Sequence, residues 1–308
     1  MNFTLTVLGT ASAMPMTGRY QSAQVRSVHG RFFLIDCGEG IQRQMLRARI
    51  PMMKIDSVFL SHIHGDHVFG LPGLLSTMGM KARTQPLNVF APPSFAPLLK
   101  FFLSYYGEGL AFEIRHVPLT MKAPEVILQT KSVEVLAFPL NHKIETFGFL
   151  FREREPQMNV RKEKIAEYGL SLTEIAAVKR GDDVVRGGQV IPFNELGYKP
   201  FEPRSYAYCS DTAPFAALPR WVAGVDLLYH ETTYLDELAD QAALRHHSTT
   251  LQAARCALEA GVKQLLIGHY SSRVKETDRY EAECRTLFPA TTAAQDLMTV
   301  DLPLVKAE

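Results

Sequence analysis

Seven consecutive residues, Ser61-His62-Ile63-His64-Gly65-Asp66-His67, place four candidate metal ligands within six positions. They follow the apolar run Ile55-Asp56-Ser57-Val58-Phe59-Leu60. In an extended backbone side chains alternate with a period of two, so His62 and His64 point the same way and one ion can take both. Gly65 permits a sharp turn, which is expected to bring Asp66 and His67 round to a second position beside the first. Imidazole suits zinc, and a neighbouring carboxylate suits zinc, manganese or iron. Any one of these histidines alone would read as a satisfied surface residue. Four ligand-type residues at this spacing after a strand point to a metal centre.

The elements that must position this motif follow from periodicity. Residues 1–9 alternate like a half-buried strand, 25–28 and 31–36 read as further strands, and a helix is predicted over 41–49, stopped ahead of Pro51. Strand 55–60 delivers the histidine motif, and 68–80 reads as the helix that follows. Strand, helix and strand are expected at 87–90, 94–105 and 112–117, and strands at 133–138, 147–151, 205–211, 225–231 and 264–268. A helix over 249–260 is closed by Gly261, and a helix at 276–288 and a strand at 297–302 complete the chain. From 152 to 200 the pattern weakens to a helix near 162–168 and a hairpin-like 182–191, which reads as an insertion or arm. Strands mixed with helices argue for an α/β or α+β layered domain whose site lies in loops at strand ends. Three later strands each end in a ligand type: His142, Asp211 and His269. Each alone is an ordinary turn residue or helix cap; beside 61–67 they form a candidate constellation.

Composition sets outer bounds. The chain has 308 residues, 46% hydrophobic and 21% charged, which suits a soluble globular protein. Its first residues lack a cationic segment followed by a long apolar one, so no signal peptide is expected. No apolar run approaches the about 20 residues that span a bilayer. Cys37, Cys209, Cys256 and Cys284 are scattered, which suggests reduced thiols in a cytoplasmic protein. Net charge is +1, yet residues 1–54 hold seven Lys/Arg against Asp36 and Glu39, a local excess that fits either a phosphate-rich ligand or a solvated basic face. Phe3, Met14 and the Tyr105-Tyr106 pair are read as core rather than as a base-stacking surface.

With these blocks in view, the chain resembles the metallo-β-lactamase fold hydrolases and, within them, the ribonuclease Z family of tRNA 3′-end endonucleases. The histidine motif identifies the superfamily. More specific are the order and spacing of His142, Ser210-Asp211-Thr212, His230-Glu231-Thr232-Thr233, His247-Ser248-Thr249-Thr250 and His269-Tyr270-Ser271-Ser272-Arg273. The resemblance implies a single domain over 1–308, a four-layer αββα sandwich with an arm inserted at 152–200. It implies two zinc ions per subunit, or manganese or another divalent ion. His62, His64 and His142 would hold one, Asp66, His67 and His269 the other, and Asp211 would bridge them. Two metals about 3.5–4 Å apart can share a hydroxide, polarise a phosphoryl oxygen and stabilise the leaving oxygen. Asp66 is then either a ligand only or also the general base, Glu231 and His247 relay a proton to the leaving 3′-oxygen, and Arg273 lies near the substrate phosphate. His230 is read as a support for the site and His246 as a surface residue.

The substrate implied is precursor tRNA, cut after the discriminator to leave a 3′-hydroxyl tRNA and a 5′-phosphate trailer. The family arm reaches from one subunit of a homodimer to the tRNA on the other. Here Lys179-Arg180-Gly181-Asp182 resembles its basic turn, while 168–173 lacks the family's Gly-Pro tip. Nine Lys/Arg face eight Asp/Glu across 152–200, so Arg161, Lys162, Lys179 and Arg180 would have to act through local placement. Two other classes compete. A small-molecule phosphodiesterase, acting for instance on cyclic nucleotides, would need neither arm nor basic surface. A non-catalytic RNA-binding homologue would have lost ligands, whereas all seven are present.

Overall fold

The computed structural model describes residues 2–307, and contacts divide the chain into two units, Met1–Arg152 with Ser205–Leu302 and Glu153–Arg204 with Pro303–Glu308. In the larger unit, strands form two seven-stranded sheets. One is ordered Thr299–Asp301, Phe3–Gly9, Ala23–Val28, Arg31–Ile35, Ile55–Phe59, Leu87–Ala91, Ile114–Pro118. The other runs Thr291–Ala293, Gln264–Gly268, Leu227–Glu231, Ser205–Cys209, Phe147–Glu153, Val133–Pro139, Glu125–Gln129.

Strand alternation decides what each face buries. Phe3, Leu5 and Val7 of the first sheet meet Val133, Val135 and Ala137 of the second in a shared core, where the rings of Phe59 and Phe90 stack 4.8 Å apart. The first sheet's other face is covered by helices Ile41–Arg47, Leu71–Met80 and Phe95–Tyr106. The second sheet's is covered by Thr250–Ala260 and Asp278–Arg285. The result is the four-layer αββα sandwich.

Parallel pairing aligns the strand ends that matter. Ile35 lies opposite Phe59, Cys209 opposite His230 and His230 opposite Ile267. Residues that follow these strands therefore emerge at one level, beyond the carboxyl ends where α/β sheets place their ligands.

The helix expected over 68–80 is two helices, Gly65–Val68 and Leu71–Met80. Gly70 between them leaves no room for a side chain: a Cβ would stand 2.0 Å from the Gly38 carbonyl oxygen. Its N–H donates to the Cys37 carbonyl at 2.8 Å. Gly65 does not turn the chain through a positive φ. It opens a helical turn, and a Cβ there would meet the Phe69 ring at 2.3 Å, so glycine supplies space rather than a bend. Helix Thr250–Ala260 follows its caps, with Thr249 and Gln252 forming a capping box and Gly261 at φ 61°. Three of the seven early cations serve the fold. Arg26 is buried over the Phe3 ring, Arg31 pairs with Asp56 at 2.7 Å, and Arg19 donates to the Val274 carbonyl at 2.8 Å. Of the aromatic and Met candidates Phe3 is core, but Met14, Tyr105 and Tyr106 are exposed.

The smaller unit has its own core of Leu170, Val178, Val184, Ile191 and Leu196. Helix Leu172–Arg180 opens on a Ser171–Glu174 capping box. Hairpin Val184–Arg186/Gln189–Ile191 turns on Gly187 and Gly188, both at positive φ, as a type I′ turn requires. Arg186 ties hairpin to helix through Glu174, at 2.6 Å, and buried Arg204 pairs with Glu153 at 2.7 Å. All four cysteines are buried and unpaired. Among the described residues no helix is long and apolar enough to cross a membrane.

Candidate active site

The loop after Ile55–Phe59 is held by a carboxylate that follows the neighbouring strand. Buried Asp36 accepts from the Ser61 N–H at 2.7 Å with one oxygen. Its other oxygen accepts from Ser61 Oγ at 2.8 Å, His67 Nδ1 at 2.7 Å and the Tyr208 hydroxyl at 2.7 Å. Because the Ser61 proton goes to Asp36, Ser61 Oγ accepts from His62 Nδ1 at 2.9 Å. His62 and His67 thus use Nδ1–H outward and turn Nε2 lone pairs inward.

The second sheet supplies its groups one strand at a time. The Asn141 N–H donates to Thr212 Oγ1 and the Ala213 N–H to the Asn141 carbonyl, which ties the loops carrying His142 and Asp211. His142 Nδ1 donates to the His246 carbonyl at 2.9 Å. His246, expected at the surface, is half-buried, and its left-handed backbone at φ 57° aims that carbonyl. Thr233 Oγ1 donates to Glu231 at 2.5 Å and so accepts from His269 Nδ1 at 2.9 Å. His142 and His269 therefore also present Nε2. Asp36, Asp211 and His269 each follow a strand with positive φ, at 53°, 50° and 60°.

The inward atoms form two principal groups, and a third set that overlaps them, Asp211, His247 and His269, also converges. Ligand atoms of His62, His64, His142 and Asp211 lie within 4.8 Å of one another, as do those of Asp66, His67 and His269. Asp211 divides between them: Oδ1 is 3.2 Å from His67 Nε2 and 3.1 Å from His269 Nε2, whereas Oδ2 is 3.6 Å from His62 Nε2 and 3.8 Å from His142 Nε2. Asp66 Oδ2 is 3.3 Å from His67 Nε2 and 3.4 Å from His269 Nε2.

Electrostatics suit a cation at both groups. Burial holds His62, His64 and His142 below the ordinary histidine value, as neutral donors. Buried His142 Nε2 has no hydrogen-bond partner, the state of an atom whose partner is a metal. Burial opposes charge on His67, yet Asp211, Asp66 and Asp36 surround it and hold it well above the ordinary value, so that without a cation a proton on Nε2 takes the place a metal would fill. Burial would likewise raise Asp66, but His67 and the His269 ring nitrogen 3.4 Å away hold it far below the carboxylate range. Positive charge is drawn to this point.

Beside the donors, Glu231 is buried and accepts from Thr212 N–H at 2.8 Å, Thr233 N–H at 3.1 Å, Thr233 Oγ1 and His247 Nδ1 at 2.8 Å. Burial resists a charge on His247, but Glu231, Asp211 and Asp66 lift it to about 9. His230, one residue before Glu231, turns to the opposite face of the strand and donates Nδ1–H to the Glu231 carbonyl at 2.8 Å.

A cavity of about 600 Å³ opens over both groups, with Met14, Lys143, Arg245 and Arg273 among its lining. In the smaller unit Arg161, Lys162 and Lys179 line one concavity with Tyr198, while Arg180 pairs with Asp182 at 2.9 Å. Sequence reasoning passed over Asp36, Thr233 and the His246 carbonyl. Asp36 carries the signal that marked Asp211, a carboxylate directly after an apolar strand; a threonine hydroxyl or a backbone carbonyl carries none.

Fold and donor set together define a metal-dependent hydrolase of the metallo-β-lactamase fold. A solved structure of that fold, YhfI from Bacillus subtilis, superposes with a TM-score of 0.69 at 17% identity, covering 98% of this chain and 100% of that one. The human tRNase Z, short form, gives 0.71 at 25% identity over 97% and 99%. A Cytophaga hutchinsonii protein named Ribonuclease Z is 44% identical over 94% of this chain and 93% of its own length. A family model described as Anti-Pycsar protein Apyc1 matches residues 3–115. The chain belongs to the ribonuclease Z family, and it is a metal-dependent, phosphodiester-hydrolysing endoribonuclease.

Proposed function

We propose that the chain removes the 3′ trailer from precursor tRNA by zinc-dependent hydrolysis, leaving a 3′-hydroxyl tRNA and a 5′-phosphate trailer. The names of its relatives support the substrate. The observation that carries the chemistry is Asp211, whose two oxygens serve two separate donor groups. His62, His64 and His142 would hold one zinc ion and Asp66, His67 and His269 the other, with Asp211 common to both. Bound there, two divalent cations supply Lewis-acid polarisation of a phosphoryl oxygen and a strong nucleophile at neutral pH.

The chain's own residues do the rest. Asp66, held ionised, can accept the proton of an attacking water. Three hydrogen bonds from Thr212 and Thr233 fix Glu231, and Glu231 fixes the His247 ring, which lines the cavity and carries a proton at neutral pH for the leaving 3′-oxygen. Arg273 lines the same cavity and contacts substrate phosphate. Arg161, Lys162 and Lys179, grouped around one concavity, are assigned to the RNA backbone; Arg180, paired with Asp182, contributes less. A cytoplasmic homodimer completes this reading.

The test is gel-resolved cleavage of a 3′-extended precursor tRNA beside a small phosphodiester, with and without chelator. A single chelator-sensitive cut after the discriminator is expected. Hydrolysis of the small diester alone would reassign the site to small molecules and leave Glu153–Arg204 without a role in RNA binding.

A further inference from the structure

Two cations on the cavity wall remain unused by this chemistry. Lys143 and Arg245 are exposed, line the cavity over the donor groups, and make no ion pair among the described residues. Their placement is built. The hydrogen bond from His142 Nδ1 to the His246 carbonyl joins two loops at 2.9 Å, and Lys143 follows one end of that tie as Arg245 precedes the other. Arg273 extends the row: its Nη1 reaches Gln241 Oε1 at 3.5 Å. Gln241 stands one turn before Arg245 on helix Ala239–Arg245, so the two lie on one face.

The buried carboxylates have no need of these cations. Asp66 and Asp211 face histidines, and Glu231 is satisfied by four donors. A small diester brings one phosphate to the donor groups, whereas a nucleic acid brings a phosphate on each side of the reacting one. We propose that Lys143, Arg245 and Arg273 form a cationic track along the cavity mouth. The track holds the backbone phosphates that flank the scissile one, and so sets the preference for a polynucleotide over a small diester. The inference rests on the RNA substrate proposed above, and Lys143 and Arg245 are its new members.

The test compares wild type, Lys143→Ala/Arg245→Ala and Lys143→Arg/Arg245→Lys in equilibrium binding of a 3′-extended tRNA between 50 and 200 mM salt, on the order of the range where phosphate contacts dominate. Each lost contact to single-stranded backbone lowers the slope of log affinity against log salt by about 0.7, so a decrease of about 1.4 is expected in the double alanine variant. In cleavage, KM for precursor tRNA rises about tenfold with little change in kcat, the signature of lost uniform binding. The ratio of kcat/KM for tRNA to that for bis(p-nitrophenyl) phosphate falls with it. The charge-conserving variant restores slope and KM, which a loss of local structure would not allow. An unchanged slope, or an equal loss on both substrates, overturns the track even if the wild type cuts tRNA correctly. A shallower slope in a chain that never cuts tRNA strikes the proposed reaction and leaves the track standing.

Discussion

The two sheets reach the same cavity by different routes. The first delivers His62, His64, Asp66 and His67 from one short run after Ile55–Phe59. The second delivers one group per strand end: His142, Asp211, Glu231 and His269. A contiguous set concentrates its support, and here that support is Asp36, which accepts four hydrogen bonds beneath the loop. A dispersed set needs braces in several places, from the His246 carbonyl behind His142 to Thr233 behind His269 and Glu231. Local sequence makes the first half compact and vulnerable at one point. Parallel register makes the second half hard to read and hard to disable all at once.

The sharpest way to break the comparison is at its junction. Asp211→Ala removes the carboxylate common to both halves and should reduce turnover to background with loss of bound metal, measured by kinetics and elemental analysis. Asp66→Ala should also abolish turnover while circular dichroism stays native; retained turnover would sink the assignment of Asp66. Next come the proposed relay residues, Glu231 at the end of a second-sheet strand and His247 in the loop beside it. Glu231→Gln or His247→Ala should lower kcat on RNA by about 10²–10⁴-fold at unchanged metal content. The loss should shrink for a p-nitrophenolate leaving group, which needs no proton; an equal loss on both substrates would remove general-acid work from the pair.

Smaller effects separate concentrated from dispersed support. Asp36→Ala should lower metal affinity by about 10–100-fold and stability by about 1–3 kcal/mol, read from chelator titration and chemical denaturation. Thr233→Val should cost about tenfold in affinity at most, since it loosens only His269 and Glu231. If the two variants behave alike, the contrast drawn between the sheets fails. Gly70→Ala is the mildest test. Its Cβ must displace the Gly38 carbonyl, which should destabilise the chain by about 1–3 kcal/mol and move the loop after Ile35 that carries Asp36.

The same contrast explains how far the sequence could be read. The histidine run and helix Thr250–Ala260 are legible because their signals are local, a ligand spacing in one case and caps at both ends in the other. His142, Asp211 and His269 are legible only as strand-end residues that need one another to mean anything. Helix Leu172–Arg180 is faint because its one fully buried side chain is Val178, with Leu172 left exposed. Strand Glu125–Gln129 is faint because its position at a sheet edge buries little. The role of Arg26 was invisible: an arginine sequestered against Phe3 looks in sequence like any surface cation. Gly65 was misread because a glycine that makes room and a glycine that bends are spelled alike.

Asp36, Asp211 and His269 share a backbone conformation that residues with a Cβ adopt at a cost of order 1–3 kcal/mol each. All three stand directly beside converging donor atoms, so the fold tolerates local unfavourable energy in the place where ligands are gathered. A cation that binds these gathered donors and not the unfolded chain links binding to folding: free cation at one hundred times its dissociation constant would add about 2.7 kcal/mol to the native state. The supply of divalent metal then bears on how stably this chain is folded, alongside its rate as a nuclease.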